Sequence, residues 1–181
     1  VKIVALPLAG AFELTLQPNA DARGSFMRWY DREIFAGHGL PTDWIQANES
    51  YSRHNVVRGL HFQRPPHAET KFIRVIAGAV YDVFVDLRHA SPSYGRWHAV
   101  ELAADKHNAV LIPKGFAHGF CVLSGEAVVS YLVDSPYAPD AEGGVLWNDP
   151  DLGIPWPVAG DAILSDKDRS LPRLCDLQPL K

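Results

Sequence analysis

Apolar and polar positions alternate along much of this chain, and the period is two far more often than the 3.6 of a helix. The plainest stretch lies between residues 71 and 88, where Tyr81, Val83, Val85 and Leu87 interleave with Val80, Asp82, Phe84 and Asp86 before the turn at His89-Ala-Ser-Pro-Ser. Alternation of this kind predicts a strand, because successive side chains point to opposite faces. Residues 127–133 form a second run, with Val129, Tyr131 and Val133 on one face and Val128, Ser130 and Leu132 on the other. Shorter strands are predicted over residues 12–16, 44–47, 97–102, 110–112 and 119–123. Helical spacing is confined to residues 31–36 and a turn at 105–108. From Trp147 onward the pattern turns irregular, with Pro150, Pro155, Pro157 and Pro172. That segment reads as a tail wrapped on the body, burying Trp147 and Trp156.

Composition agrees with the pattern. The 181 residues include 14 glycines and 14 prolines spread along the chain, which leaves little room for long helices. The length suits a single domain over residues 1–181, and many short strands separated by turns describe a β-sandwich or barrel. With 17 Lys+Arg against 21 Asp+Glu the net charge is −4, which argues against broad binding to nucleic acid or to an anionic membrane. A small basic pocket for one phosphorylated ligand remains compatible with it. Cys121 and Cys175 have no zinc spacing and no disulfide framework, so reduced thiols in the cytoplasm are expected. The first residues hold only a short apolar run broken by Pro7, too short for a signal peptide or for a span of about 20 residues.

Three segments combine reactive side chains with turn residues. In Arg58-Gly-Leu-His-Phe-Gln63, strict alternation puts Arg58 and Leu60 on one face and Gly59, His61 and Gln63 on the other. A histidine on a strand wall, followed by Lys71, suits proton removal beside a carbonyl: imidazole is the base, and ammonium stabilises the oxyanion. The bland alternative is a surface pair with no shared role. In Pro113-Lys-Gly-Phe-Ala-His118 a tight turn delivers a histidine onto the next strand, as in jelly-roll barrels of the cupin kind. Such histidines often bind metal, and His67 and Glu69 are possible further ligands. Yet no His-x-His occurs, and a cation at Lys71 disfavours a divalent ion. Tyr131 is either a packing residue or a proton donor facing the histidine.

These segments fall into a larger series. Asp21-Ala-Arg-Gly-Ser-Phe26, Gln46-Ala-Asn-Glu-Ser-Tyr-Ser52, Arg58-Gly-Leu-His-Phe-Gln63, Asp86-Leu-Arg88 with Ser91-Pro-Ser-Tyr-Gly95, Pro113-Lys-Gly-Phe-Ala-His-Gly-Phe120 and Ser165-Asp-Lys-Asp168 occur in this order. Together they resemble the dTDP-4-dehydrorhamnose 3,5-epimerases of nucleotide-sugar biosynthesis, from about residue 12 to residue 168. The resemblance implies a mostly β, cupin-like jelly-roll β-barrel with a few short helices. It also implies an enzyme without metal or cofactor, acting on a nucleoside diphosphate 4-keto-6-deoxy-hexose. Carried over by motif, His61 is the base oriented by Asp168, Tyr131 the acid on the opposite face, and Lys71 the group polarising the keto oxygen. Arg58 and Arg23 hold the diphosphate, Gln46 and Asn48 contact the nucleotide, and Tyr137 stacks on its base. Phe26 lines the sugar pocket, and His118, Glu142 and Lys167 complete the substrate contacts. The family's Arg-Gly-x-Phe segment reaches into a neighbouring subunit, which implies a homodimer.

One position departs from the family. Arg28 stands where the family usually has a glutamate, reversing charge and hydrogen-bond polarity. It either faces solvent, adds a phosphate contact, or marks a nucleotide other than the expected dTDP. The resemblance as a whole implies an epimerase that inverts C3, C5 or both. The rivals are a 3-only epimerase or ketoisomerase on the same barrel and, from a different class, a metal-binding or non-catalytic cupin module.

Overall fold

A strand that is apolar on both faces must be covered on both sides, and that requirement organises the molecule. The computed structural model describes residues 1–158 and 160–181. One sheet has six strands, in the spatial order β1 (Lys2–Ala5), β2 (Phe12–Thr15), β10 (Asn108–Ile112), β7 (Lys71–Ala77), β12 (Glu126–Val133) and β5 (Gln46–Arg53). Facing it is a sheet of five, β13 (Glu142–Gly144), β6 (Val57–Gln63), β11 (Phe116–Val122), β8 (Ala79–Asp86) and β9 (Trp97–Ala103). Neighbouring strands within each are antiparallel. The pair is jelly-roll-like, as expected, but hydrogen bonding does not close it into a barrel. A third, two-stranded ribbon is formed by β3 (Asn19–Asp21) and β4 (Gly24–Phe26), exposed along its whole length.

Between the two sheets lie Ile73, Val75, Val80, Phe84, Val110, Phe120 and Val129. The other face of the five-stranded sheet, with Leu60, Val83 and Val85, is covered by Val145, Leu152 and Leu180 of the C-terminal segment. The tail does wrap the body. Trp147 and Trp156 are nevertheless half-buried rather than buried, because they lie over the sheet's outer layer and pack on each other. On the six-stranded sheet, Leu14, Phe72 and Leu111 are covered by Phe35 with Trp29 and Trp44. Phe35 belongs to α1 (Arg32–Gly37), whose N-cap Asp31 accepts the Glu33 and Ile34 N–H groups at 3.0 and 3.3 Å. No helix among the described residues is long and apolar enough to cross a membrane.

The stretch from 71 to 88 is two strands in different sheets, not one. It breaks at Gly78, where φ is +76° and an added Cβ would collide with the Glu126 carbonyl oxygen. The strand expected at 44–47 begins later and runs on to Arg53. After β8 the chain is pinned by buried Asp86, which accepts from the Arg88 guanidinium at 2.7 and 2.9 Å and from the Ser91 and Ser93 hydroxyls at 2.7 and 2.6 Å. Burial alone would raise this carboxyl, but those bonds outweigh it and bring it down to about 2. The Asp86-Leu-Arg and Ser-Pro-Ser motifs therefore build a turn.

Candidate active site

Strict alternation would set Arg58 and His61 on opposite faces of β6, and the structure corrects this. His61 pairs with His118 on β11, while Arg58 pairs with Phe120, so three steps on β6 answer two on β11. The extra residue is a β-bulge, and it brings Arg58 and His61 to the wall of one cavity of about 500 Å³. Gly59 permits it. Its φ is +115°, and a Cβ there would lie 2.6 Å from Gly119 Cα and 2.7 Å from the His118 carbonyl oxygen.

His61 Nε2 lies 2.7 Å from Asp168 Oδ1. Asp168 comes from α2 (Asp166–Arg169), where the Ser165 side chain caps the helix by accepting the Asp168 N–H at 3.1 Å. Its second carboxylate oxygen accepts the Gly59 N–H at 3.0 Å, so one buried group holds both the bulge and the imidazole. Burial alone would raise this carboxyl, but the His61 and Gly59 hydrogen bonds outweigh it and keep it below its ordinary 3.8. An ionised acceptor requires the proton on Nε2, which leaves the lone pair of a neutral His61 on Nδ1.

The cavity is also lined by Tyr131 on β12, in the opposite sheet. Burial first, and then the Glu69 carboxylate, push its phenol above the ordinary 10.0 against the pull of Arg58. Tyr131 thus keeps its phenolic proton at neutral pH. Lys71 stands beside it, its Nζ 6.0 Å from the ring centroid and 3.1 Å from Glu69 Oε1. His118 Nε2 sits 2.8 Å from Oδ2 of fully buried Asp82, whose Oδ1 has no hydrogen-bond partner among the described residues.

At the mouth, the Arg58 guanidinium donates to Ser52 Oγ at 2.9 Å and to the Tyr51 carbonyl at 3.1 Å. Lys167 lines the cavity and pairs with Glu142 at 2.5 Å. Burial would raise the Glu142 carboxyl, but Lys167 and Tyr137 hold it below the usual range. The Tyr137 hydroxyl donates to Glu142 at 3.0 Å, and its N–H donates to Gln46 Oε1 at 2.8 Å. Asn48 on β5 is the backbone partner of Tyr131.

Seven expected residues are not among those lining this cavity. Gln46, Tyr137 and Glu142 connect to it through Lys167, and Asn48 pairs with Tyr131, whereas Arg23, Phe26 and Arg28 lie elsewhere. Arg23 is exposed and paired with Asp21, Phe26 is 66% exposed, and both lie on the separate β3–β4 ribbon. Arg28 pairs with Asp31 at 3.2 Å, beside the start of α1. Among the candidate metal ligands, Glu69 is engaged by Lys71. One carboxylate was missed, Asp82, which stands on an inward face otherwise occupied by Val80 and Phe84. The residue pattern suggests Glu69 only as a metal ligand, although it stands two residues before Lys71 and so shares its face.

The family model described as dTDP-4-dehydrorhamnose 3,5-epimerase matches residues 5–176 of this chain. The dTDP-4-dehydrorhamnose 3,5-epimerase of Escherichia coli (strain K12) is 44% identical over 171 residues, covering 93% of this chain and 92% of that protein. The crystal structure of the Bacillus anthracis (strain Ames) protein of the same name, with TDP and PPi bound, aligns with a TM-score of 0.92 at 46% identity, covering 95% of this chain and 98% of that one. The dTDP-4-dehydrorhamnose 3-epimerase of Streptomyces niveus is 42% identical over 165 residues, covering 91% of this chain and 79% of that protein.

Proposed function

The chain belongs to the dTDP-4-dehydrorhamnose 3,5-epimerase family, and on that footing we propose that its cavity inverts C3 and C5 of dTDP-4-dehydro-6-deoxy-D-glucose to give dTDP-4-dehydro-L-rhamnose. The observation that carries this reading is the placement of a base and an acid on facing sheets of one cavity, His61 on β6 and Tyr131 on β12. The keto group at C4 acidifies the neighbouring hydrogens. His61 takes the proton through Nδ1, and the Asp168 carboxylate stabilises the imidazolium that forms. Charge moves to the keto oxygen, where Lys71 lowers the energy of the enolate. Tyr131 returns a proton to the carbon from the opposite face. The sequence needs no redox change and no group transfer.

Arg58 and Lys167 carry positive charge at the mouth, where the diphosphate binds, and Arg58 offers the forked donor geometry that suits phosphate oxygens. Tyr137 presents an exposed ring at the rim for the nucleotide base, steadied by Gln46 and Glu142. His118 and Asn48 complete the sugar and nucleotide contacts. The chain acts as a homodimer, in which the ribbon of a second copy brings Arg23 and Phe26 to the site. That arrangement gives a use to an exposed phenylalanine and a cation remote from their own cavity. Arg28 is tied to Asp31 and leaves thymidine as the base. The free thiols, Cys121 buried and Cys175 exposed, suit the cytoplasm.

A second reading, inversion at C3 alone, is favoured by the similarity to the Streptomyces niveus 3-epimerase. NMR of the sugar in D2O separates the two. Deuterium at both C3 and C5 supports double epimerisation, and deuterium at C3 alone supports the second reading.

A further inference from the structure

Lys71 and Tyr131 need opposite electrostatic conditions. An ammonium at the keto oxygen is useful because it is positive, yet the same charge next to a phenol favours loss of the phenolic proton. Tyr131 must keep that proton in order to deliver it. The groups facing it from the surrounding elements are Lys71 on β7, Arg58 and His61 on β6, His118 on β11 and Lys167 beside α2. Three are basic side chains, a guanidinium and two amines, and two are histidines. The buried carboxylates of Asp168 and Asp82 are already bonded to those histidines, and Glu142 is bonded to Lys167. Glu69 is the carboxylate that answers Lys71, at 3.1 Å.

The local sequence places it there. In Ala-Glu-Thr-Lys, where the chain enters β7, residues two apart share a face. Thr70 turns the other way, and its N–H is bound to Asp134 Oδ1 at 2.7 Å. Glu69 and Lys71 are consequently side by side, 3.1 Å apart, with side chains only 15% and 12% exposed. Screening by solvent is weak at that depth, so the carboxylate is felt at the phenol beyond the lysine.

We propose that Glu69 is a positioning residue for the acid step: it anchors the Lys71 ammonium and offsets its charge and that of Arg58 at Tyr131, so that the phenol keeps its proton through the working pH range. The assignment rests on the epimerase reading for its purpose, but the electrostatic arrangement stands without it. The elevation of the Tyr131 phenol, caused first by burial and next by Glu69, agrees with it.

The test reads Tyr131 directly. Ultraviolet phenolate titration of the full-length protein, with the Tyr131→Phe trace subtracted, isolates this phenol. Glu69→Gln keeps the shape and removes the charge, and it moves the onset of phenolate formation down by about one pH unit. Glu69→Asp keeps the charge and titrates close to the parent protein. The basic limb of kcat for inversion moves with the phenol in Glu69→Gln. An unchanged onset in that variant overturns the proposal. Should Glu69→Gln not fold, Lys71→Met reads the same balance from the other side. Its onset rises because Glu69 is left unopposed, and an onset that stays or falls overturns the proposal. A parent protein with no epimerase activity but the predicted titrations would refute the proposed reaction and leave the charge balance standing.

Discussion

At the scale of single residues, the site depends on where protons reside. Asp168→Asn keeps the shape of the side chain but gives one acceptor oxygen where the carboxylate gives two, for His61 and for the Gly59 N–H. We expect kcat to fall about 10²- to 10⁴-fold with KM little changed, by analogy with other carboxylate-oriented histidine bases. A kcat within about threefold of the parent would remove Asp168 from the mechanism. Tyr131→Phe separates the two halves of the reaction: exchange of the substrate hydrogen with solvent persists, while net inversion is lost. Inversion at the parental rate would show that another group is the acid. His61 and Tyr131 were legible because a histidine and a tyrosine stood in recognisable motifs. Asp82 was not read, and Glu69 was read only as a possible metal ligand, since a carboxylate gains its meaning from its partner, and such pairing is invisible in a linear pattern.

At the scale of elements, the β6 bulge decides which side chains meet. Periodicity of two placed Arg58 away from His61, and the register with β11 reverses that. The clue in the sequence was Gly59, facing Gly119 on the next strand, but a glycine alone does not tell which residue is extra. Gly59→Ala should cost about 2–4 kcal/mol and displace His61, because the new Cβ meets backbone at 2.6 Å from Gly119 Cα. Equilibrium urea unfolding measures the stability, and an unchanged midpoint would contradict the close approach. The turn after β8 gives a pH prediction. Asp86 has a folded value of about 2 against an ordinary 3.8, so its stabilisation is full above about pH 4 and is lost as pH falls towards 2. Asp86→Asn should lower the urea midpoint roughly twice as much at about pH 5 as at about pH 3. Equal losses at both would refute the assignment.

At the scale of the whole molecule, the sandwich was readable from alternation and turn residues, and the tail from its prolines. What was not readable was the open character of the sheets, which depends on long-range pairing that short strands do not announce. The separation of the β3–β4 ribbon from its own cavity was implied by the family resemblance and not by the residue pattern. The ribbon gives the quaternary prediction. Arg23→Ala and His61→Ala are each expected to be inactive alone. Mixing them under conditions of subunit exchange should restore about a quarter of the parental activity, because half the dimers are hybrids with one intact site. No recovery, with hybrids present by mass spectrometry, would show that the site is built within one chain. The central claim, a base and an acid on opposite walls of one cavity, is tested most directly by following dTDP-4-dehydro-6-deoxy-D-glucose by NMR in D2O with the purified protein. The structure predicts deuterium at both C3 and C5 with inversion of both centres, and a sugar that keeps its hydrogens and configuration would contradict it.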